Sequence, residues 1–406
     1  MPIKDYIFTG SAWKSRRGYS ITPPTGGGGG TVARKIGADY VPMEALLQGA
    51  ETATGSGQPD LQTLCGRVTG NRVLTFPNGT FLLPNNFPTA FQSTPYPAGD
   101  GIRFGHAQYA PGCRGISGSG PGTIFKMLSS NRPQPSGGAL QPNFYMLMNA
   151  NQTGTVGVLD RPEFSNFTLE GTLLGSNHDY NGLRLENCQN GLIENVTITG
   201  ITGSNKIPPG ETGAITFNNC HYMTINDTEV DGRRAGSPVS SSCIMLNNSD
   251  HMYGNRVYTH HTLTGGGGWA WFHTQYGTLT DCRSEYIGTG KGNLSGYCFN
   301  HEQAQDIDYI RPSMIGTFNG TIDSKHMSMN VDMNRENFGA TRLRVFNPTY
   351  NALQNVGSGK FVIETWTLTD PDDGHDIQGA RTSPQVYSDL AGNTVLPFTW
   401  VHPAFA

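Results

Sequence analysis

The sequence predicts an all-β protein built as a single-stranded right-handed parallel β-helix. Three observations support this fold: an internal repeat, short alternating strands within each repeat, and abundant glycine. The chain has 406 residues, of which 54 are glycine, while 36% are hydrophobic and 14% are charged. This composition is typical of a β-rich protein with many tight turns and few amphipathic helices.

The internal repeat occupies the middle of the chain. Each unit contains an apolar residue followed by a polar one, and these apolar residues are separated by 32, 29, 26, 27 and 30 positions. They are Leu185, Phe217, Leu246, Phe272, Phe299 and Met329. Periods of about 20–50 residues indicate a repeat architecture, in which stacked units bury a continuous core.

Each unit also contains two short segments in which apolar and polar residues alternate. In the first unit they are Gly182–Leu185 and Leu192–Ile198, and in the second they are Ala214–Phe217 and Met223–Asn226. A period of two indicates strands and not helices. Leucine-rich repeats are disfavoured because their LxxLxL frame is missing, and propeller blades would need longer strands.

The segments Val73–Leu83 and Gly115–Met127, together with the repeated Ile-x-Asn turns, resemble the pectate-lyase-like superfamily of right-handed parallel β-helices. The resemblance spans about residues 70 to 330 and is greatest to phage tailspike and minor tail proteins. The superfamily also contains polysaccharide lyases and polygalacturonase-like hydrolases. The resemblance therefore implies a fold and not one activity.

Four regions follow from these patterns. The predicted regions are an N-terminal attachment element at 1–25 with a hairpin turning at Gly10–Ser11, a glycine-rich linker with a short helix (Val41–Leu47) at 26–59, the parallel β-helix at 60–335, and a β-rich C-terminal cap or association region at 336–406. Solenoid ends need caps, because an open coil exposes its core and edge strands.

Equivalent positions on neighbouring coils lie about 4.8 Å apart, so an alignment predicts which side chains stack. In our alignment one outward column contains Glu194, Asn226, Asn255, Asp281 and Asp308. Asp281 and Asp308 would then be adjacent carboxylates, which could serve as the catalytic acid and nucleophile of glycoside hydrolysis. The alternative is a solvated polar face. A second column, Asn187, Asn219 and Asn248, is interpreted as a structural ladder at a turn.

The stretch from Gly265 to Tyr276 is the most unusual in the chain. Strand geometry would place Trp269, Trp271 and His273 on one face, opposite Phe272. With Tyr276 they form the predicted carbohydrate-binding site, because an aromatic platform beside polar groups suits a sugar. The alternative is that the tryptophans pack under a loop or against a neighbouring subunit.

Neither a metal nor another cofactor is predicted. His260 and His261 are adjacent in sequence and should point apart on a strand. An acidic run could bind calcium, although a plain acidic turn is the alternative. Its carboxylates are Asp370, Asp372, Asp373 and Asp376. The seven cysteines form no CxxC pair and are interpreted as free and buried.

Three functions remain open. The leading hypothesis is a virion tail protein, a tailspike or minor tail protein, that binds host cell-surface glycan through the β-helix. The alternative is a polysaccharide lyase or glycoside hydrolase acting on cell-envelope polysaccharide, and the third is a purely structural virion protein. Whether the chain is an enzyme stays open, because the signatures of polygalacturonase-like hydrolases and the calcium-binding acids of pectate lyases are not found in order.

The expected partners are a cell-surface polysaccharide and, through the N-terminus, other tail proteins. Resemblance to tailspikes implies a homo-oligomer, with a trimer as one arrangement. The net charge of −4 argues against nucleic-acid binding. Apolar runs are too short for a membrane span, and the N-terminal residues lack the apolar core of a signal peptide. We expect a virion protein folded in the host cytoplasm; the alternative location is extracellular.

Overall fold

The computed structural model describes the following parts of the chain, and the structural statements below concern them alone. The described residues are 6–8, 13–15, 20–21, 37–49, 51, 61–83, 102–105, 110–127, 144–149, 157–171, 180–200, 213–231, 242–261, 267–285, 287, 296–302, 304–315, 326–332, 343–346, 349–351, 360–368, 379–381, 385–388 and 399–401.

The N-terminal element is a small antiparallel sheet. Its strands are Tyr6–Phe8, Trp13–Ser15 and Ser20–Ile21, and the middle strand pairs with both others. The predicted hairpin is therefore confirmed. The five linker glycines, residues 26–30, lie outside the described residues.

The predicted parallel β-helix is confirmed, because strands far apart in sequence pair in parallel along three faces. We name these faces sheets 1, 2 and 3 in the order in which each coil visits them. The strands of sheet 1 are Ile102–Arg103, Phe144–Met148, Tyr180–Glu186, Gly213–Asn218, Ser242–Asn247, Gly267–Phe272, Gly296–Glu302, His326–Asp332 and Lys360–Leu368.

Two long strands, Glu163–Glu170 and Leu192–Thr199, bend around a corner and belong to both sheet 2 and sheet 3. The other strands of sheet 2 are Tyr40–Pro42, Arg72–Thr75, Cys113–Ser117, Thr224–Asn226, Asp250–Asn255, Gln275–Thr280, Gln305–Ile310 and Leu343–Phe346. The other strands of sheet 3 are Gly79–Leu83, Thr123–Met127, Glu229–Asp231, Tyr258–His260, Arg283–Glu285, Ser313–Ile315 and Thr349–Asn351. Leu159–Asp160 and Cys188–Gln189 pair between sheets 1 and 2.

Parallel pairing extends beyond both predicted ends of the β-helix. It begins at Tyr40–Pro42, before residue 60, and it continues to Lys360–Leu368, past residue 335. Apart from the N-terminal sheet, every antiparallel pairing among the described residues involves a strand that follows that point. These strands are Gly379–Arg381, Gln385–Ser388 and Thr399–Val401.

Two helices precede the regular coils. Where a helix over Val41–Leu47 was predicted, the chain ends a strand at Pro42 and continues as a 3-10 helix, Met43–Leu46. An α-helix at Leu61–Arg67, not predicted, buries Leu61, Leu64 and Cys65. No helix in the described part of the chain has the length and apolarity needed to cross a membrane.

One turn residue at each of three corners of the coil adopts a left-handed backbone conformation, and these residues stack in columns. Corner A follows sheet 1 and contains Asn187, Asn219, Asn248 and His273. Corner B precedes sheet 2 and contains Arg161, Asn190, Tyr222, His251, Tyr276 and Asp306. Corner C follows sheet 2 and contains Asn166, Asn195, Asp227, Arg256, Asp281 and Arg311. Asparagine tolerates this conformation best after glycine, which explains the ladder at corner A. There Asn219 donates a side-chain hydrogen bond to Asn187, as the structural interpretation predicted.

The core fills the space between the sheets, and all seven cysteines are free and buried in it, as predicted. The largest fully buried side chains are Trp269 and Trp271 of sheet 1. Their rings stack with centroids 5.9 Å apart and an interplanar angle of 18°. They occupy the inward positions that Ile244 and Leu246 occupy on the preceding coil.

Two glycines of sheet 2 make room for these rings. A Cβ atom on Gly277 would lie 2.6 Å from Cη2 and Cζ3 of Trp271. A Cβ atom on Gly254 would lie 3.1 Å from Cη2 of Trp269 and 2.5 Å from a methyl carbon of Leu279. The large residues of one sheet are thus matched by small residues on the facing sheet, which keeps the core close-packed.

This match predicts a specific instability. We expect Gly277→Ala to lower the free energy of unfolding by about 1–3 kcal/mol, because the added methyl group overpacks the core against Trp271. Urea unfolding of the full chain measures the change. In a Trp271→Phe background, where the smaller ring makes space, we expect the same substitution to destabilise less.

Gly157→Ala is the matched control. A Cβ atom there would meet nothing within 4 Å, so we expect a change within about 0.5 kcal/mol. Equal destabilisation by Gly277→Ala in the wild-type and Trp271→Phe backgrounds would show that the two side chains do not share this space.

Candidate functional site

The predicted catalytic pair, Asp281 and Asp308, is not formed. Asn255 pairs with Thr280, and Thr278 pairs with Asp308, so the two acids occupy different columns. Asp281 lies one residue beyond the end of its strand, at corner C, whereas Asp308 lies within sheet 2. The alignment was correct from Glu194 to Asn255 and was displaced by one residue at Asp281.

Asp281 instead belongs to a ladder of alternating charges at corner C. Arg311 donates two hydrogen bonds of 2.7 Å to the carboxylate of Asp281. Arg256 donates bonds of 2.6 and 2.7 Å to Asp227 in the same manner. Hydrogen bonding from Arg311 lowers the pKa of Asp281, and the positive charges of Arg311 and Arg256 act in the same direction. An acid held ionised by arginines stabilises a corner and is poorly suited to act as a proton donor.

The expected outward platform of Trp269 and Trp271 is also wrong. Trp269 is 1% exposed and Trp271 is fully buried. The alignment had matched Phe272 with Leu246, but the partner of Leu246 is Trp271. A slip of one residue exchanges the two faces of a strand. Phe272 consequently points outward, where it forms a small apolar cluster with Met245 and Ala270.

The other two predicted sugar-binding residues lie at corners. His273 occupies corner A, in line with the asparagine ladder, and is half-buried. Tyr276 occupies corner B and is 48% exposed. The structure therefore separates the four predicted residues into an interior pair and two different corners.

Tyr276 is one end of an exposed aromatic strip that the sequence analysis did not identify. The strip consists of Tyr222, His251 and Tyr276, at corner B of three successive coils. The rings of Tyr222 and His251 stack with centroids 4.4 Å apart and an interplanar angle of 24°. The rings of His251 and Tyr276 have centroids 5.0 Å apart. Tyr222 is 51% exposed, so both ends of the strip face solvent.

Polar groups accompany the strip along one side. Asp250 contacts Nδ1 of His251 at 2.9 Å with one carboxylate oxygen and Nδ1 of His221 at 2.8 Å with the other. Tyr253, a further exposed tyrosine, lies nearby. Partial burial raises its pKa, and the charges of Tyr222 and Asp250 act in the same direction. The arrangement combines flat apolar rings with fixed hydrogen-bonding groups.

The backbone of the strip is strained. The φ angles of Tyr222, His251 and Tyr276 are 55°, 51° and 54°. A bulky side chain is uncommon in this region. Asn190 and Asp306 occupy the same corner on flanking coils and are better suited to it. The sequence gives only a weak indication of this strip, because a tyrosine can be assigned to a corner only after the positions of the turns are known.

Comparison with known proteins identifies similarity of fold. Neither a family model nor a curated protein matches the chain. Among solved structures, the tailspike gp42 of Acinetobacter phage vb_AbaP_AS12 has a TM-score of 0.47 and 12% identity, over 80% of this chain and 47% of that one. Geobacillus virus E2 ORF18 has a TM-score of 0.38 and 12% identity, over 82% of this chain and 61% of that one.

An iota-carrageenase, solved with iota-carrageenan fragments, has a TM-score of 0.41 and 12% identity, over 88% of this chain and 65% of that one. The chain spans less than two thirds of all three structures. The likeness is one of fold. The resemblance predicted from the sequence is confirmed at that level, since the strand pairings form the β-helix independently of these structures. Activity, substrate and assembly do not follow from it.

The predicted calcium ligands cannot be placed. Asp370, Asp372, Asp373 and Asp376 lie outside the described residues. The argument against a metal at His260 and His261 was wrong in its geometry, because their Nδ1 atoms lie 2.5 Å apart.

The charge ladder generates a pH-dependent prediction. At about pH 7 we expect Asp281→Asn to lower the free energy of unfolding by about 1 kcal/mol or less, because the ion pair is largely exposed. The pKa of Asp281 is lowered on folding, so its contribution is present above the unfolded value of about 3.9 and is lost as the pH falls through the folded value. The difference between wild type and variant should therefore shrink in acid.

A double-mutant cycle with Arg311→Gln isolates the pair. Urea unfolding of the wild type, both single variants and the double variant gives the coupling free energy at each pH. Additive effects at about pH 7 would show that the two side chains do not stabilise each other in solution.

Proposed function

We propose that this chain is a virion tail protein that binds a host cell-surface polysaccharide through its β-helix. The strip of Tyr222, His251 and Tyr276 is the proposed contact surface. One observation carries the proposal: two large aromatic residues are exposed in a strained backbone conformation, and both rings contact one imidazole, Tyr222 by stacking and Tyr276 at a tilt of 36°.

Strain of this kind needs a compensating reason. A residue other than glycine in a sparsely populated backbone region costs about 1–3 kcal/mol, and such residues concentrate at functional sites. Core packing does not supply the reason here, because Tyr222 and Tyr276 are each about half exposed. Asn190 and Asp306 show that the same corner accepts residues with a better conformational preference. The exposure of both rings at the surface supports a role in binding.

The chemistry of the strip fits a carbohydrate. Aromatic rings offer flat apolar surfaces for the C–H faces of sugar rings, while carboxylate and imidazole groups can bond to hydroxyl groups. The rings span two coil spacings, about 10 Å, in a line parallel to the axis of the β-helix. A polymer of repeating sugars presents its rings at regular intervals, as the coils present these side chains.

The remaining parts of the chain have roles in the same proposal. The antiparallel sheet of Tyr6–Phe8, Trp13–Ser15 and Ser20–Ile21 would attach the protein to other tail proteins. Self-association, as a trimer for example, would place several strips on one particle and raise the overall affinity for a polymer. Cleavage of the polysaccharide is the alternative activity, and the binding experiment distinguishes it.

The tyrosines of the strip can be replaced by asparagine, a residue that the same corner already contains at Asn190. We expect Tyr222→Asn and Tyr276→Asn each to weaken polysaccharide binding roughly tenfold, which corresponds to about 1.4 kcal/mol. Stability should be unchanged or higher by up to about 1 kcal/mol, because asparagine relieves the backbone strain. Calorimetric titration with a panel of bacterial envelope polysaccharides measures affinity, and thermal unfolding measures stability.

Two controls accompany these variants. Tyr276→Phe keeps the ring and should retain most of the affinity. Leu82→Ala alters a residue of sheet 3 with similar exposure, 49% against 48% for Tyr276, and should bind as the wild type does. Undiminished binding by the Tyr222→Asn/Tyr276→Asn double variant would overturn the strip as the contact surface. New reducing ends in the incubated panel would show cleavage.

A further inference from the structure

A second group of polar side chains lies on the outer face of sheet 3, away from the aromatic strip. Asp231 and His260 are directly paired on neighbouring strands, so their side chains lie side by side. Both are buried, with side chains 6% and 4% exposed. His261 follows at the end of the strand, and its left-handed φ of 57° turns it away from a regular strand path.

The turn at His261, where the chain leaves sheet 3, brings the two imidazoles together. Nδ1 of His260 lies 2.5 Å from Nδ1 of His261 and 3.6 Å from Oδ1 of Asp231. Among the residues that the structure describes, this is the one group of three metal-ligating side chains whose donor atoms all lie within 4.8 Å of one another. Two facing Nδ1 atoms can be satisfied by a shared proton, or by a cation that accepts both lone pairs.

The environment of His260 favours the cation. Its other ring nitrogen, Nε2, lies 3.1 Å from Oε1 of Glu229. Donation from Nε2 to this carboxylate leaves the lone pair at Nδ1, directed at Asp231 and His261. Metal-binding histidines commonly hold a carboxylate on their second nitrogen in this way, which fixes the ring and raises its basicity. The ring of Tyr258 stacks on His260 at 4.2 Å and fixes its plane.

The neighbouring acid on the next coil is already neutralised. Glu285 pairs with His260 across the strands. It forms an ion pair with Arg283 and accepts a hydrogen bond of 2.8 Å from the hydroxyl group of Tyr258. Two other carboxylates lie beside His260: Glu229 is 3.1 Å from Nε2 and Asp231 is 3.6 Å from Nδ1.

We propose that Asp231, His260 and His261 bind a divalent transition-metal ion of the zinc class, which ties two successive coils of sheet 3 together. Two imidazoles and one carboxylate suit this class of ion, and three protein ligands leave a coordination position open. Tetrahedral zinc would hold the two nitrogens about 3.3 Å apart. The imidazoles therefore need to separate by less than about 1 Å from their present distance. The site is independent of the proposed polysaccharide surface.

The chain contains a matched control at corner B. His221, Asp250 and His251 comprise the same residue types, but each imidazole contacts a different oxygen of Asp250. A single carboxylate between two rings does not gather their nitrogens around one point. His221→Gln therefore removes a histidine near an aspartate without affecting the proposed site.

The test is zinc binding to the full chain after removal of metal by a chelator. We expect equilibrium dialysis to give one tightly bound zinc ion per chain, with a rise in the melting temperature that grows with zinc concentration. His260→Gln and His261→Gln should abolish both effects. Glu229→Gln should weaken zinc binding by about 10–100-fold, since it removes only the group that orients His260. His221→Gln should bind as the wild type does.

The melting temperature of each variant without metal verifies that the variant folds. His261 and Glu229 are only partly buried, so we expect their variants to fold and to test zinc binding even if His260→Gln does not fold. Three outcomes overturn the proposal. They are failure of the wild-type chain to bind zinc, binding that survives His261→Gln and Glu229→Gln unchanged, and loss of binding in His221→Gln. The first would assign the short contact between the imidazoles to a shared proton.

Discussion

Hydrogen bonding between successive coils is the constraint on which the rest of the structure depends. Because the strands of the β-helix pair in parallel from coil to coil, each paired residue lies over an equivalent residue at about 4.8 Å. Side chains alternate across a strand, so a whole column is either inside or outside. When one coil places Trp269 and Trp271 in inward columns, the facing sheet must supply Gly254 and Gly277. Register, and not the individual residue, decides which side chains meet.

Residues at the corners also stack from coil to coil, but there the shared requirement is a backbone conformation and not a buried side chain. Each corner needs a residue in the left-handed conformation on coil after coil. At corner A asparagines satisfy this requirement and bond to one another, and at corner C the paired Asp281 and Arg311 gain an ion pair. At corner B, Tyr222 and Tyr276 adopt the conformation against their preference and expose their rings. Neither tyrosine gains an ion pair or an amide ladder there; their rings contact His251 instead.

The sequence was sufficient for whatever depends on composition and period: the β-helix, the N-terminal hairpin, the buried cysteines and the asparagine ladder. It was insufficient for register. All six residues of Gly267–Phe272 are buried, so the alternation that normally distinguishes the two faces of a strand is missing there. A slip of one residue then reversed Trp269 and Trp271. The acid pair failed for a related reason, because Asp281 follows its strand at a corner that the alignment did not include.

Corners also explain why adjacent residues can converge. On a regular strand, His260 and His261 would point to opposite faces. The left-handed backbone of His261 cancels that alternation, and the parallel pairing of Asp231 with His260 adds a third group from a coil 29 residues earlier. Neither effect is visible in a linear pattern, since one requires the position of the turn and the other requires the register. In this β-helix the corners are thus the places where the backbone departs from the strand, so that residues adjacent in sequence can converge on a group from a neighbouring coil.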